Sequence, residues 1–146
     1  MRIASVRFGE MSVEEQSVVH FPEGIMPFGA SLNFALLPGP DPSATAWLQS
    51  LEHPELAFWV GHAAKLFPGR NIGIEARHLD LMQIQRREQL SILLILTIQD
   101  RQVTANLLAP LLINGARRVG RQVILAGDMD LIRLPVPAGC AVAQPA

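Results

Sequence analysis

Short apolar runs separated by proline- and glycine-rich turns follow one another along most of the chain, which predicts strands rather than long helices. A turn over 9–12 is predicted to join the first two strands into an opening hairpin. The near-continuous Ile and Leu run from Leu90 to Gln99 predicts a strand buried on both faces. The predicted strands are 3–8, 16–21, 32–37, 47–51, 56–60, 90–99, 103–113 and 122–126. Such a series is typical of an all-β sandwich or barrel.

Two segments depart from this pattern. Residues Arg77 to Arg87 place Leu79 and Met82 at near-helical spacing, which predicts one short helix. Beyond Asp130 prolines and a glycine stand among small residues, and we expect a loose C-terminal tail there. The predicted organisation is therefore a single compact β domain over 1–130 and a flexible tail over 131–146.

Composition agrees with one folded domain in a reducing compartment. The chain has 146 residues, 49% of them hydrophobic, and a net charge of −1, which excludes disorder throughout. A single cysteine, Cys140, excludes an internal disulfide. No signal-peptide pattern and no apolar run long enough to span a bilayer are visible, so we expect a cytoplasmic protein.

The charge is unevenly distributed. Residues 1–60 hold seven acidic and two basic side chains, whereas residues 61–146 hold six acidic and ten basic ones. A chain with so balanced a total does not attract nucleic acid through its overall field.

Motifs of catalysis are missing from the sequence. The four histidines lack metal-ligand spacing, and neither a phosphate-binding loop nor a G-x-S-x-G turn occurs. His53-Pro54-Glu55 has the H-x-E form of a zinc deaminase but lacks the cysteine pair. We therefore expect no catalytic residue, no metal and no cofactor, and a hydrolase or metal enzyme would rest on scattered histidines alone. The residues by themselves indicate a small binding protein.

One long motif takes the interpretation further. Thr104 to Asn114 reads TANLLAPLLIN, Gly120 to Leu125 reads GRQVIL, and together they closely resemble the signature of the flagellar assembly factor FliW family. The resemblance extends from about Val6 to Gly127. Shorter similar pieces occur in order at 21–25, 34–38, 47–50, 57–58 and 67–68.

The resemblance implies a compact, mainly antiparallel β-barrel-like fold without catalytic activity. It implies binding of newly made flagellin in the cytoplasm and binding of CsrA, an RNA-binding translational repressor. Competition between the two partners would couple the flagellin level to flagellin translation. We expect a monomer that forms heteromeric complexes. After Gly24-Ile25 the family usually continues Pro-Gly-Phe, whereas this chain has Met26-Pro27-Phe28.

Partner-binding residues are predicted from loops, from one large aromatic residue and from polar positions in the long motif. Apolar residues on a Pro/Gly loop are open to a binding patch or to packing of the loop on its own barrel, and Trp47 is open to core burial or to a role as an interface anchor. Asn106, Asn114 and Thr104 are open to structural hydrogen bonding or partner contact. The predicted set is Met26, Pro27, Phe28, Trp47, Gln49, Thr104, Asn106 and Asn114. The alternative function is direct RNA binding through the turn that carries Arg117, Arg118 and Arg121.

Overall fold

The computed structural model describes residues 1–137, and strands form most of their regular structure. The strands are β1 (Arg2–Ile3), β2 (Met11–Ser12), β3 (Val18–His20), β4 (Asn33–Pro38), β5 (Thr45–Ser50), β6 (Ala57–His62), β7 (Leu90–Gln99), β8 (Gln102–Ala105), β9 (Leu111–Asn114), β10 (Val119–Gln122) and β11 (Leu134–Pro135). The helices in this part of the chain are α1 (Ala63–Leu66), α2 (Ala76–Leu81) and 3₁₀ helices at Glu15–Ser17, Arg87–Gln89 and Met129–Arg133. The prediction of a mainly β single domain is confirmed.

The large sheet closes on itself through β7. Its strands follow the order β11-β8-β7-β6-β5-β4-β3-β10-β9, and β9 pairs in turn with β7. One edge of β7 pairs with β6, while the other is shared, since Leu90 to Leu93 pair with β9 and Leu96 to Gln99 pair with β8. Neighbouring strands are antiparallel except β3 and β10, whose contact is parallel. The strands from β7 back to β9 therefore form a ring that resembles a barrel.

Both faces of the central strands are buried, each in a different layer. Alternate residues of a strand point to opposite faces, so Ala46 and Leu48 of β5 lie in the inner cluster with Phe34. The intervening Trp47 lies in the outer cluster with Trp59. All residues of β5 are consequently buried, which explains why the strand shows no alternation of apolar and polar residues.

The opening hairpin is not the predicted one. β1 pairs with β2, whereas β3, which lies within the predicted second strand, pairs with β4 and β10. The cause is Ser5, whose side-chain oxygen accepts hydrogen bonds from the backbone N–H groups of Arg7 (3.1 Å) and Phe8 (2.9 Å). A serine that bonds local backbone in this way competes with a strand. Residues 4–10 therefore form a turn, closed by hydrogen bonds between Ser5 and Gly9.

The long motif also differs from the predicted strands. β8 ends at Ala105 because the Asn106 side chain accepts a hydrogen bond from the N–H of Leu108 (3.0 Å), which favours a turn. Pro110 cannot donate a hydrogen bond, so β9 begins only at Leu111. The strand predicted at 122–126 lies earlier, as β10, and Val123 and Leu125 continue beside it by bonding to Pro110 and Leu108 carbonyls.

The predicted helix is shorter, and a second one precedes it. α2 ends at Leu81, and Gln83 has a φ of 56°, which an α-helix does not accommodate. Residues 131–136, predicted as tail, belong to the fold, because β11 pairs with β8 and Leu131 and Val136 pack on the outer cluster. Pro135 is tolerated there because β11 is an edge strand. The boundary at 130 was placed too early, and residues 138–146, including Cys140, lie outside the described residues.

Gly120 provides a test of how tightly the ring of strands packs around Phe21. A Cβ at this position of β10 would lie 2.4 Å from Cζ of Phe21, which is fully buried and packs edge-on against Phe34. We expect Gly120→Ala to lower the free energy of unfolding by about 1–3 kcal/mol, because the ring of Phe21 must move. Urea unfolding measures the change. Gly115→Ala is the matched control, since its Cβ would meet only one atom, at 4.0 Å, and a loss as large there would contradict the account.

Candidate functional site

The loop after Phe21 is held tightly at its base. Gly24 has a φ of 72°, a conformation that favours glycine. A Cβ on Gly24 would lie 2.8 Å from Cα of Gly29, so the two arms of the loop are in close contact at these two glycines. Ile25 is fully buried in the inner cluster. The N–H of Phe28 donates to the carbonyl of Ile25 (2.7 Å), and the Met26–Pro27 peptide is cis. The loop therefore projects its next residues from a fixed base.

Apolar side chains stand at the tip of this loop. Met26 is 63% exposed and Phe28 is 48% exposed, and Pro27 between them is exposed as well. Phe28 also packs edge-on against Phe58, with 5.9 Å between ring centroids. Beside the tip is a cleft of about 510 Å³, lined by Pro27, Phe28, Gly29, Ala30, Ser31, His53, Glu55 and Leu56. Met26, Pro27, Phe28 and this cleft are called the loop surface below.

Polar contacts hold the loop surface against the β5–β6 turn. The hydroxyl of Ser31 lies 2.5 Å from Nδ1 of His53 and accepts a hydrogen bond from the hydroxyl of Ser50 (3.0 Å). On the other arm, the N–H of Met26 donates to the side chain of Gln122 (2.8 Å). The surface is therefore built largely before any partner binds, which lowers the entropic cost of binding.

Trp47 and Gln49, two of the predicted binding residues, lie inside the fold. Trp47 is 8% exposed and contacts the rings of Phe8 and Trp59 and the guanidinium of Arg7. Gln49 is fully buried, and its oxygen accepts a hydrogen bond from Ser5 (2.7 Å). Its amide nitrogen donates toward the carbonyls of residues 50, 54 and 56. Both side chains join the N-terminal turn to the sheet.

The two asparagines of the long motif have hydrogen-bond partners within the chain. The side-chain nitrogen of Asn114 donates to the carbonyl of Met82 at the end of α2 (2.9 Å), and its oxygen accepts from the N–H groups of residues 116 and 117. Thr104 is 6% exposed in β8, between β7 and β11. Asn106 bonds the backbone of its own turn. The structure brings Met26, Pro27 and Phe28 together at one surface, while the other five predicted residues lie elsewhere, four of them buried and Asn106 half-buried.

The arginines of the β9–β10 turn are divided among different contacts. Arg121 forms an ion pair with Glu23 (2.7 Å), and Arg118 donates to the backbone carbonyl of Glu15. Arg117 is exposed. Two of the three cations proposed for RNA contact are thus engaged within the protein.

His62, at the end of β6, has a pKa lowered from the ordinary histidine value. Partial burial disfavours its charged form, and the nearby ammonium of Lys65 adds to the effect. Within residues 1–137 no cluster of three or more His, Cys, Asp or Glu side chains has the arrangement of a metal site. No helix in that part of the chain is long and apolar enough to cross a membrane.

The closed ring and its exposed loop surface define a small β protein of the protein-binding class. Comparison with known proteins makes this more specific, since the family model described as FliW protein matches residues 2–136. The chain belongs to the FliW family of flagellar assembly factors.

Relatives and a solved structure agree with this assignment. A flagellar assembly factor FliW from Syntrophomonas wolfei is 36% identical, over 93% of this chain and 88% of its own. One from Geotalea uraniireducens is 31% identical, over 92% of this chain and 83% of its own. The crystal structure of a flagellar assembly factor FliW superposes with a TM-score of 0.78 at 31% identity, covering 92% of this chain and 94% of that one.

The role of Gln49 is tested by removing its amide. In Gln49→Leu the Ser5 hydroxyl and the carbonyls around the amide lose their partner, and we expect a loss of about 1–3 kcal/mol in unfolding free energy. Gln102→Leu, at an exposed position of β8, is the control and is expected to change stability by less than about 0.5 kcal/mol. Equal stability of the two variants in urea unfolding would show that Gln49 has no structural role.

The lowered pKa of His62 predicts a pH dependence of stability. The unfolded chain binds more protons than the folded one below the ordinary pKa of about 6.5, so stability falls as the pH drops from there toward the folded pKa. We expect the unfolding free energy of His62→Gln to fall less than that of the unchanged protein over this window. His20→Gln, at an exposed site, controls for loss of an imidazole. Identical pH profiles for His62→Gln and the unchanged protein would contradict this.

Proposed function

We propose that this chain binds flagellin in the cytoplasm and also binds the translational repressor CsrA, acting by protein association and without catalysis. Membership in a family of flagellar assembly factors supports this proposal. The observation that carries it is the loop surface, where two large apolar side chains are exposed on a rigid loop beside a cleft.

The loop surface fits an apolar segment of a partner protein. Exposed Met and Phe side chains beside a concave region are features of binding surfaces, and methionine adapts to different partner shapes. Free flagellin offers segments that polymerise later and that need covering before assembly. We propose that one such segment binds the loop surface.

For CsrA we propose a role of the acidic N-terminal half. Residues 1–60 carry a net charge of −5, and six of their seven carboxylate residues are exposed: Glu10, Glu14, Glu15, Glu23, Glu52 and Glu55. Glu10 and Glu23 are paired with Arg2 and Arg121, and the four other carboxylates would complement a basic protein and raise the rate and specificity of association. Glu55 also lines the cleft of the loop surface, so the two partners would meet at adjoining regions and compete.

Calorimetric titration with flagellin tests the role of the loop surface. We expect Met26→Ser to weaken flagellin binding by about 5- to 20-fold, since an exposed apolar anchor is lost at the centre of the interface. Met129→Ser is a matched control, because Met129 is 73% exposed on a different segment. Equal affinities of both variants would contradict flagellin binding at this surface.

The same titration with CsrA, alone and after saturation with flagellin, tests the switch. Prior binding of flagellin is expected to weaken CsrA binding by about 5- to 150-fold. Failure to bind either protein at micromolar concentration would overturn the proposed function. Binding of flagellin with unchanged CsrA affinity would overturn the competition.

A further inference from the structure

A second concave surface lies away from the loop surface, where α1 meets the first residues of β7. This groove has a volume of about 840 Å³. Its walls come from α1, the segment around residues 70–72, the residues after α2 and the start of β7. Its apolar lining residues are Ala63, Ala64, Ile72, Leu79, Ile84, Leu90 and Ile92. An apolar lining of this size is able to receive several side chains of a partner.

The charged groups of the groove all have one sign. Lys65, Arg70, Arg86 and Arg87 line it, and no aspartate or glutamate does. These four are exposed, and among residues 1–137 the ion pairs are formed by other arginines, Arg2, Arg77 and Arg121. A third of the lysines and arginines of the chain are therefore gathered here, and within residues 1–137 none of these four forms an ion pair.

His62 also lines the groove. Partial burial is the main cause of its lowered pKa, and the nearby ammonium of Lys65 adds to the effect. The four cations of the lining make the groove locally positive even though the whole chain has a net charge of −1.

The backbone that carries two of the arginines is fixed. The side-chain oxygen of Gln89 accepts hydrogen bonds from the N–H groups of Gln85 (2.9 Å) and Arg86 (3.1 Å). The carbonyl of Gln89 accepts from the N–H of Gly115 (2.9 Å), which joins this segment to the β9–β10 turn. Arg86 and Arg87 therefore project from a preformed backbone wall, which favours binding.

We propose that this groove docks an acidic segment of a partner protein whose carboxylates pair with the four cations and whose apolar side chains fill the lining. Carboxylates match the planar guanidinium of arginine with two hydrogen bonds. Nucleic acid fits less well, because no Phe, Tyr or Trp side chain lines the groove for bases to stack on and because apolar residues form much of its lining. This inference rests on the proposed function in one respect only, namely that the chain acts by binding other proteins.

The test uses a synthetic peptide, so it does not depend on flagellin or CsrA. The probe is a fluorescein-labelled peptide of about four helical turns with Leu at positions i, i+3, i+4 and i+7 and Glu elsewhere. Matched peptides replace every Glu by Gln or every Leu by Ser. Fluorescence anisotropy with the full chain is expected to show binding of the first peptide that is at least about tenfold tighter than that of either matched peptide.

Charge-neutral variants locate the site. Arg86→Gln with Arg87→Gln, and separately Lys65→Gln with Arg70→Gln, are each expected to weaken peptide binding by about tenfold or more. Arg117→Gln with Arg133→Gln removes the same charge outside the groove and is expected to change the affinity by less than about twofold. If one of the two double variants fails to fold, the other double variant still tests the proposal.

Three outcomes would overturn the proposal. The first is unchanged peptide binding in both groove variants, or no binding of the Glu/Leu peptide. The second is tighter binding of a single-stranded RNA oligonucleotide than of the peptide, lost in the groove variants, which would make the occupant a nucleic acid. The third is a dimer in analytical ultracentrifugation that the groove variants abolish, which would make it a second copy. Loss of flagellin binding in Met26→Ser with intact peptide binding would leave this proposal standing.

Discussion

The structure depends on the pairing of β7, because one edge of this strand pairs with two different strands. A strand of ten residues is long enough to pair with β9 through its first four residues and with β8 through its last four. The first pairing closes the ring and encloses the inner cluster around Phe34 and Leu48. The second carries β8 and β11 over the outer cluster around Trp47. One apolar strand therefore accounts for two buried layers in a domain with little helix.

Both candidate binding surfaces are attached to this ring. The loop surface begins at Phe21 and Ile25, which are buried in the inner cluster, and its Met26 bonds Gln122 at the end of β10. The groove is built where β6 ends and β7 begins, and its wall at Arg86 is held through Gln89 to the turn after β9. Neither surface needs a reactive side chain, because rigid placement of apolar and charged groups is sufficient for protein binding.

Much of the fold follows from local sequence, and the departures have identifiable causes. Continuous apolar runs predicted β7 and the central strands, and the apolar loop composition predicted Met26, Pro27 and Phe28 as a surface patch. Sequence patterns did not reveal that Ser5 and Gln49 bond each other across 44 positions, since that contact exists only in the folded chain. The groove was missed for the same reason, because Lys65, Arg70 and Arg86 converge only through the ring. The sequence did contain one indication of the groove, since Ile72 and Ile84 each lie two residues from a cation, Arg70 and Arg86.

The central claim is that an apolar loop, held rigidly on a closed β-ring, binds the partner protein. The most direct test is amide hydrogen exchange, measured by mass spectrometry with and without flagellin. Exchange slows where an interface covers backbone that otherwise opens locally. The account predicts added protection in peptides that span 24–31 and 53–56, the two sides of the cleft. Flagellin binding that leaves both segments unprotected, and protects a different part of the ring instead, would contradict it.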